Sequence, residues 1–524
     1  MAIFVSGVGM TPFGKSRRSL VNLATDAGRA ALADAGLDAV DALYVGIMSP
    51  EEFTGEGNLA VIVADVLGLA GVPAVRVETA SSTGAAAFYQ ACLAIAAGQA
   101  RRVLVVAAEK MTHLPTARTT AILAEVIDHD ERRAGATMPA LAALVTRCYM
   151  ARHRLEEAEM ARALAAVAIK NHANGALNPR AQFRRPITEA DYRAARWVAT
   201  PLRVLDCAPI TDGAAAVVLT AEPLARPGGR EGDDVPVRVA GLGQGTDTIA
   251  LRYRTNLTAF RSTRLAARQA YAMAGVGPRD IDFAEVHDAF TPFEIIGTED
   301  LGFFPEGGGA RAALEGTTRL DGPLPVNPSG GLKARGHPVG ASGLAQVAEA
   351  VWQLRGEAGP GRQLRAPALA LVQSIGGLAN NNFVTILERA DRHRVHAVPA
   401  ALPELPAPEG RVRRGAPKRV SHGRLESFTV LYVTPEGVPA PLVLGLVRTP
   451  DSYRILARGL SQERLAVGAQ VLLRRKGYEY TFLVPGRVER LRARIGSTLA
   501  SLTRPLRVRA RWIRRKRAAA AASK

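Results

Sequence analysis

Val237-Arg-Val-Ala-Gly-Leu-Gly243 is an apolar run that closes on glycines, and its form is that of a buried strand. A helical pattern around Leu265 to Gly275 follows, and then the strand-like Asp282-Phe-Ala-Glu-Val-His287. The chain opens in the same way. Ile3 to Val8 reads as a buried strand interrupted at Gly7 and followed by Gly9, an amphipathic helix runs through Ala31 to Gly36, and Ala42 to Gly46 reads as a second strand. Gly7 corresponds to Gly241 and Gly36 to Gly275. A strand-helix-strand unit that returns once, far along the chain, points to duplicated α/β halves rather than a short-period solenoid. Chance similarity of two such units is the competing account.

The 524 residues exceed what one core supports, so several units are expected. Residues 1–236 form the first half. Within it, about 111–200 is rich in helix formers, with polar turns expected at Asn174-Gly175 and Asn178-Pro179, and reads as a helical excursion. Residues 237–390 form the second half. The prolines of 391–420 suit an extended linker. In 421–485, short strands at Ser427–Val433, Pro441–Val447, Tyr453–Ala457 and Ala469–Leu473 favour a small β-barrel. An arginine-rich tail, 486–524, ends the chain.

Charge divides along the same line. The chain holds 67 Lys+Arg against 48 Asp+Glu, and residues 390–524 hold 28 against 9, which leaves the first 389 residues balanced. The excess belongs to the appendage, whose arginines read as a solvated tail or as an anion-binding segment. Three scattered cysteines, Cys92, Cys148 and Cys207, argue against a disulfide framework, and no Cys-x-x-Cys exists for a zinc ribbon. With neither a secretory leader pattern nor a long apolar run, a cytoplasmic protein without a membrane span is expected.

Four segments carry chemistry. In Gly330-Gly-Leu-Lys-Ala-Arg-Gly-His-Pro-Val-Gly-Ala-Ser-Gly343, His337 is pinned before a proline among glycines that admit close backbone approach. It reads as an acid/base group or as a turn histidine. His287 ends a predicted strand, where α/β enzymes mount functional groups, or else simply bonds to Asp288. In Val77-Glu-Thr-Ala-Ser-Ser-Thr-Gly-Ala-Ala-Ala87, Ser81 stands before a helix, as a site residue or an N-cap. Gln373-Ser-Ile-Gly-Gly-Leu-Ala379 is a strand-to-glycine turn that frees backbone donors.

Together and in this order, Ser81, His287, Gly336-His337-Pro338 and Ser374-Ile-Gly-Gly377 resemble the thiolase superfamily over residues 1–389. His287-Asp-Ala-Phe, Asn171-His-Ala-Asn-Gly-Ala-Leu-Asn-Pro179 and Pro201-Leu-Arg-Val-Leu-Asp-Cys-Ala-Pro-Ile-Thr-Asp-Gly213 resemble its sterol-carrier-protein and archaeal branch. The resemblance implies a five-layered α/β fold of two pseudo-symmetric halves, an acyl-coenzyme A substrate, no cofactor beyond that thioester, and a homodimer. It implies a cysteine nucleophile where Ser81 stands, activation by His337, an enolate cradle from His287 and His337, and a second oxyanion hole from the backbone N–H groups of Ser81 and Gly376. The acid/base cysteine of many members would fall at Ala289 or Ser374. A serine is far harder to ionise than a thiol, so ordinary thiolysis is not expected. Acyl transfer, retro-aldol cleavage of a 3-hydroxyacyl-coenzyme A and a non-catalytic acyl-coenzyme A scaffold stay open. For the aldol base, Tyr253 and His172 are candidates, with Ser374 a further acid/base candidate.

Gly423-Arg-Leu-Glu-Ser-Phe-Thr-Val430, Pro441-Leu-Val-Leu-Gly-Leu-Val447 and Glu463-Arg-Leu-Ala-Val-Gly-Ala-Gln-Val471 resemble the OB-fold half of proteins that partner thiolase-like enzymes. The family's zinc ribbon has no counterpart here, so metal binding is not carried over. Aromatics for base stacking are few, chiefly Phe428, Tyr432, Tyr478 and Tyr480, which argues against single-stranded nucleic acid.

Overall fold

The computed structural model describes residues 2–225, 235–391, 404–407, 412–417 and 420–486. Apart from Gly486, the arginine-rich tail lies outside them, as does most of the proline-rich linker. The strands are β1 (Phe4–Met10), β2 (Ala42–Gly46), β3 (Ala74–Val77), β4 (Arg102–Glu109), β5 (Trp197–Ala199), β6 (Leu202–Arg203), β7 (Gly213–Thr220) and β8 (Val237–Thr246). The chain continues with β9 (Phe283–Glu285), β10 (Leu369–Gly376), β11 (Asn381–Arg389), β12 (His422–Leu431), β13 (Leu442–Arg448), β14 (Arg454–Gly459), β15 (Gln470–Lys476) and β16 (Glu479–Leu483).

The first sheet has the order β3-β2-β4-β7-β1-β8-β11-β10-β9. Read outward from the β1–β8 junction, each half repeats the same scheme. An antiparallel neighbour comes first (β7 or β11), then an antiparallel strand (β4 or β10), then a parallel one (β2 or β9). The halves join through Phe4↔Arg238 and Val5↔Val237. Five layers result. The helix Leu20–Ala35 covers the outer face of the first half, and Arg261–Ala274 that of the second. Between the half-sheets lie Thr83–Ala96 and Ser342–Arg355, the latter buried along its whole length.

Steric demand explains the repeated glycines. A Cβ on Gly7 would come within 2.2 Å of the Ala31 carbonyl oxygen, and one on Gly241 within 2.2 Å of that of Ala270. Gly36 and Gly275 end the two outer helices in the left-handed region, at φ 65° and 70°.

The excursion is helical, with Thr116–Leu123, His129–Arg133, Met138–His153, Glu157–Ala176 and Glu189–Ala194. The turn expected at Asn174-Gly175 is instead the last turn of a 20-residue helix. Asn174 Nδ2 donates to the Asn327 carbonyl at 2.9 Å, and bare Gly175 lets Ala334 approach. Tertiary partners override the local turn preference.

The C-terminal strands close as β12-β13-β14-β16-β15-β12, antiparallel except for β14 with β16. This is a small OB-like barrel. Its closing strand, β16, is absent from the strands expected from sequence, because Glu-Tyr-Thr-Phe-Leu is short and lies directly across a tight turn from β15. The apolar run of β13 reflects burial on both faces: Val443 and Val447 point into the barrel, while Leu442, Leu444 and Leu446 join the core of the excursion. Leu431 of β12 also pairs with Ala199 of β5.

Gly243 is the tightest of these approaches, with a Cβ there 1.9 Å from the Ala266 carbonyl oxygen. Gly243→Ala should lower stability by about 1–3 kcal/mol or more, read as a reduced urea midpoint.

Candidate functional site

One cavity of about 1000 Å³, including its open mouth, gathers residues from both halves, the excursion and the barrel. Ser81, His287, His337 and Gly377 line it together, and its remaining wall is mostly apolar, including Met48, Leu123, Phe293 and Val433.

Ser81 sits on a tight turn between β3 and the helix Thr83–Ala96, directly after Ala80, whose φ is 56°. Neighbouring hydroxyls hold that turn. Thr83 Oγ1 accepts from Thr79 N–H at 2.9 Å and donates to the Ala80 carbonyl at 2.6 Å, and Ser82 Oγ donates to the Thr79 carbonyl at 2.7 Å. Ser81 Oγ is left without a hydrogen bond among the described residues, half-exposed at the start of a helix, where the N-terminal dipole favours negative charge. The N-cap position falls to Ser82. A Cβ on Gly376 would stand 2.5 Å from both Ser82 Oγ and the Thr79 carbonyl oxygen, so the turn after β10 abuts the Ser81 turn.

His287 and His337 meet edge to face, with centroids 5.3 Å apart and planes at 89°. His337 Nδ1 lies 2.7 Å from Ser342 Oγ, and that hydroxyl donates its proton to the Pro338 carbonyl at 2.9 Å. Ser342 can therefore only accept from the ring. The proton is thus assigned to Nδ1, which leaves Nε2 as a lone-pair acceptor. His287 is oriented differently. Its backbone N–H donates to Gln373 Oε1 at 3.2 Å, and its buried Nδ1 has no partner. Burial, with the nearby Arg335 cation, pushes His337 down to about 3, and burial with His337 and Arg335 holds His287 well below the usual range. Both rings are neutral near pH 7.

Asp288 does not bond to His287. It accepts from Asn171 Nδ2 at 2.7 Å and from Leu332 N–H at 2.6 Å, and so holds the helix Gly331–Arg335 that leads into His337. Both histidine loops are also tied to one strap, residues 207–212. Cys207 bridges to Phe290, Ala208 N–H donates to the Ala289 carbonyl at 2.9 Å, and Ile210 bridges to His337. His337 N–H donates to Thr211 Oγ1 at 2.9 Å. Asp212 anchors the strap through Lys110 Nζ at 2.6 Å and the N–H groups of Met111 and Thr112 at 2.7 and 2.8 Å.

The other candidates stand apart from this cavity. Tyr253 accepts from Gly415 N–H at 3.1 Å beside the barrel. His172 is buried against Phe183, with centroids 5.5 Å apart, and desolvation lowers it to about 4. Ser374 is buried with an unpartnered hydroxyl, pointing at Gly343 on the helical layer. Sequence reasoning did not single out Cys207, Met138 or Val433 as site residues, although all three line the cavity. The Cys207 thiol is pushed up to about 12 by burial and Asp206, which keeps it protonated. Among the described residues, no group of three or more His, Cys, Asp or Glu could hold a metal, and no helix is long and apolar enough to cross a membrane.

A fold of two α/β halves with histidines from separate loops facing a helix start defines a thiolase-type site. Residues 3–223 match the family model of the thiolase N-terminal domain, and 243–389 that of the thiolase C-terminal domain-like family. An acetyl-CoA acetyltransferase of Methanothermobacter thermautotrophicus is 43% identical over 391 residues, 74% of this chain and 99% of that protein. Sterol carrier protein 2 of Bos taurus is 33% identical over 418 residues, 76% of this chain and 75% of that protein. The chain belongs to the thiolase superfamily. Among solved structures, the Ltp2-ChsH2(DUF35) aldolase matches at 28% identity and TM-score 0.60, covering 75% of this chain and 99% of that one. The monomeric SCP2-thiolase like protein type 1 of Mycobacterium smegmatis shares the fold at 20% identity and TM-score 0.67, over 92% of this chain and 99% of that one.

The depressed histidines set a pH dependence. In the unfolded chain they take up protons below about pH 6.5, which the folded rings refuse, so their contribution is fully present above that pH and is lost as pH falls toward about 3. Histidine-selective NMR should show the His337 ring unmoved between about pH 8 and 5, while the unfolding midpoint declines below about pH 6.5.

Proposed function

We propose that this thiolase-superfamily, acyl-coenzyme A-related protein cleaves or forms a C–C bond beside the thioester carbonyl without a cysteine acyl-enzyme. The observation that carries this is the pair of neutral, differently tethered imidazoles in an apolar cavity whose helix start bears the hydroxyl of Ser81. Cys207 does not supply a thiolate, because its protonated state leaves it a poor nucleophile.

In the retro-aldol direction, His337 Nε2 takes the proton of the substrate 3-hydroxyl. The O–H electron pair becomes the new C=O bond, the C2–C3 bond breaks, and its electrons pass into an enolate of the thioester. His287 donates a hydrogen bond to the enolate oxygen through Nε2–H. Return of the proton to C2 completes a shorter acyl-coenzyme A and a carbonyl product, so no atom is left unbalanced. Tyr253 and His172 are not needed as bases. The likeness to the Ltp2-ChsH2(DUF35) aldolase supports this direction. The apolar wall suits the hydrocarbon part of an acyl group. The barrel supplies Val433 to that wall and serves as an acyl-coenzyme A-associated OB-fold fused to the thiolase-like part.

Acyl transfer through a Ser81 ester is the second reading, favoured by the 43% identity to an acetyltransferase. One pair of variants separates them. For the lyase, Ser81→Ala should keep turnover of 3-hydroxyacyl-coenzyme A within about threefold, whereas His287→Ala should lose about 100-fold or more. An ester on Ser81 in intact-mass spectra after incubation with acyl-coenzyme A, together with loss of turnover in Ser81→Ala, would establish transfer instead.

A further inference from the structure

A second cleft, of about 840 Å³ including its open mouth, lies between the barrel and the excursion and shares no lining residue with the histidine cavity. Five arginines border it. Two are neutralised: Arg252 pairs with Asp128, Asp130 and Glu131, and Arg454 with Glu426. The remaining three have no carboxylate partner among the described residues. Arg458 donates to the carbonyls of Ala134 and Arg133 at 3.0 and 2.9 Å, and Arg475 to those of Gly477 and Pro417 at 2.8 and 3.4 Å. Arg133 lies over the Tyr478 ring at 5.3 Å. Against them stand the carboxylates of Asp130, already engaged by Arg252, and Glu479.

Aromatic rings alternate with these cations. Arg475 covers Tyr480 at 5.5 Å and Arg252 covers Tyr253 at 4.5 Å, while Tyr478 is 76% exposed. An exposed ring backed by a guanidinium offers a flat stacking face, and guanidinium forks match phosphate oxygens.

We propose that this cleft binds a nucleotide moiety, its planar base on Tyr478 and its phosphates on Arg458 and Arg475. Two sources offer that chemistry: the nucleotide half of the thioester substrate, or a free nucleotide. The inference does not depend on which reaction the histidine cavity performs.

Titration calorimetry on the full chain tests it, with adenosine 3′,5′-diphosphate, ATP and inorganic phosphate as probes. Saturable binding of a nucleotide is expected, tighter than that of phosphate, weakened by salt, and reduced about tenfold or more in Arg475→Ala and in Tyr478→Ala. Both side chains are exposed, so both variants should fold, which circular dichroism checks. If the same variants raise KM for the thioester while kcat is unchanged, the occupant is the substrate's nucleotide half. If nucleotide binding falls and KM stays, it is a free nucleotide. No nucleotide binding by the parent chain, equal binding by the variants, or preference for a single-stranded oligonucleotide over a mononucleotide would overturn the proposal.

Discussion

Everything in the site follows from how closely the two central helices touch. A Cβ on Gly84 would lie 2.8 Å from the Gly340 carbonyl oxygen, and one on Gly343 2.9 Å from the Ala85 nitrogen. Bare glycine on both helices lets their first turns meet backbone to backbone, which no larger residue would allow. Because each helix starts where a functional loop ends, this contact brings the Ser81 turn and the His337 loop to one place. Glu109 reinforces the junction from the first half, with Oε2 accepting from Met48 N–H at 3.0 Å and Gly340 N–H at 3.1 Å. The repeated strand scheme supplies two halves, and the glycine contact turns them into one cavity.

Within that cavity, burial does the electrostatic work. Both imidazoles are deprived of water, and their neutrality follows from desolvation more than from any single neighbour. What differs between them is tethering. Ser342 has already given its proton to Pro338, so it fixes a proton on His337 Nδ1 and directs a lone pair outward, whereas His287 is held only through its backbone. Chemically similar side chains are thereby tethered in different ways, one through its ring and one through its backbone.

The fold was legible wherever steric demand leaves its mark on residue type. Gly7, Gly36, Gly241 and Gly275 mark corresponding points because strand-helix contact and helix termination impose the same need in each half. That Ser81, His287 and His337 share one cavity was legible because they stand at ends of regular elements. Tyr253 and His172 show the limit of that logic. Nothing in their local sequence tells that one turns toward the barrel and the other packs on Phe183, because that depends on how irregular segments settle against distant partners. The strap of residues 207–212 was visible as a motif but not as a clamp, since its bonds run to loops far away in the chain.

The barrel is bound into this arrangement rather than hung from it. Arg454, fully buried in β14, donates to the Arg254 carbonyl at 2.6 Å, and Arg254, also fully buried, donates to the Leu378 carbonyl in the turn after β10. Ser262 Oγ holds the next carbonyl, that of Ala379, at 2.7 Å. The glycine turn beside Ser81 is therefore braced by two buried guanidiniums in series, one of them contributed by the barrel. Such buried cations are costly unless their donors are satisfied, so the turn and the barrel constrain each other. Fusion of the two units in one chain keeps that brace in place, where separate chains would have to meet its desolvation cost on every association.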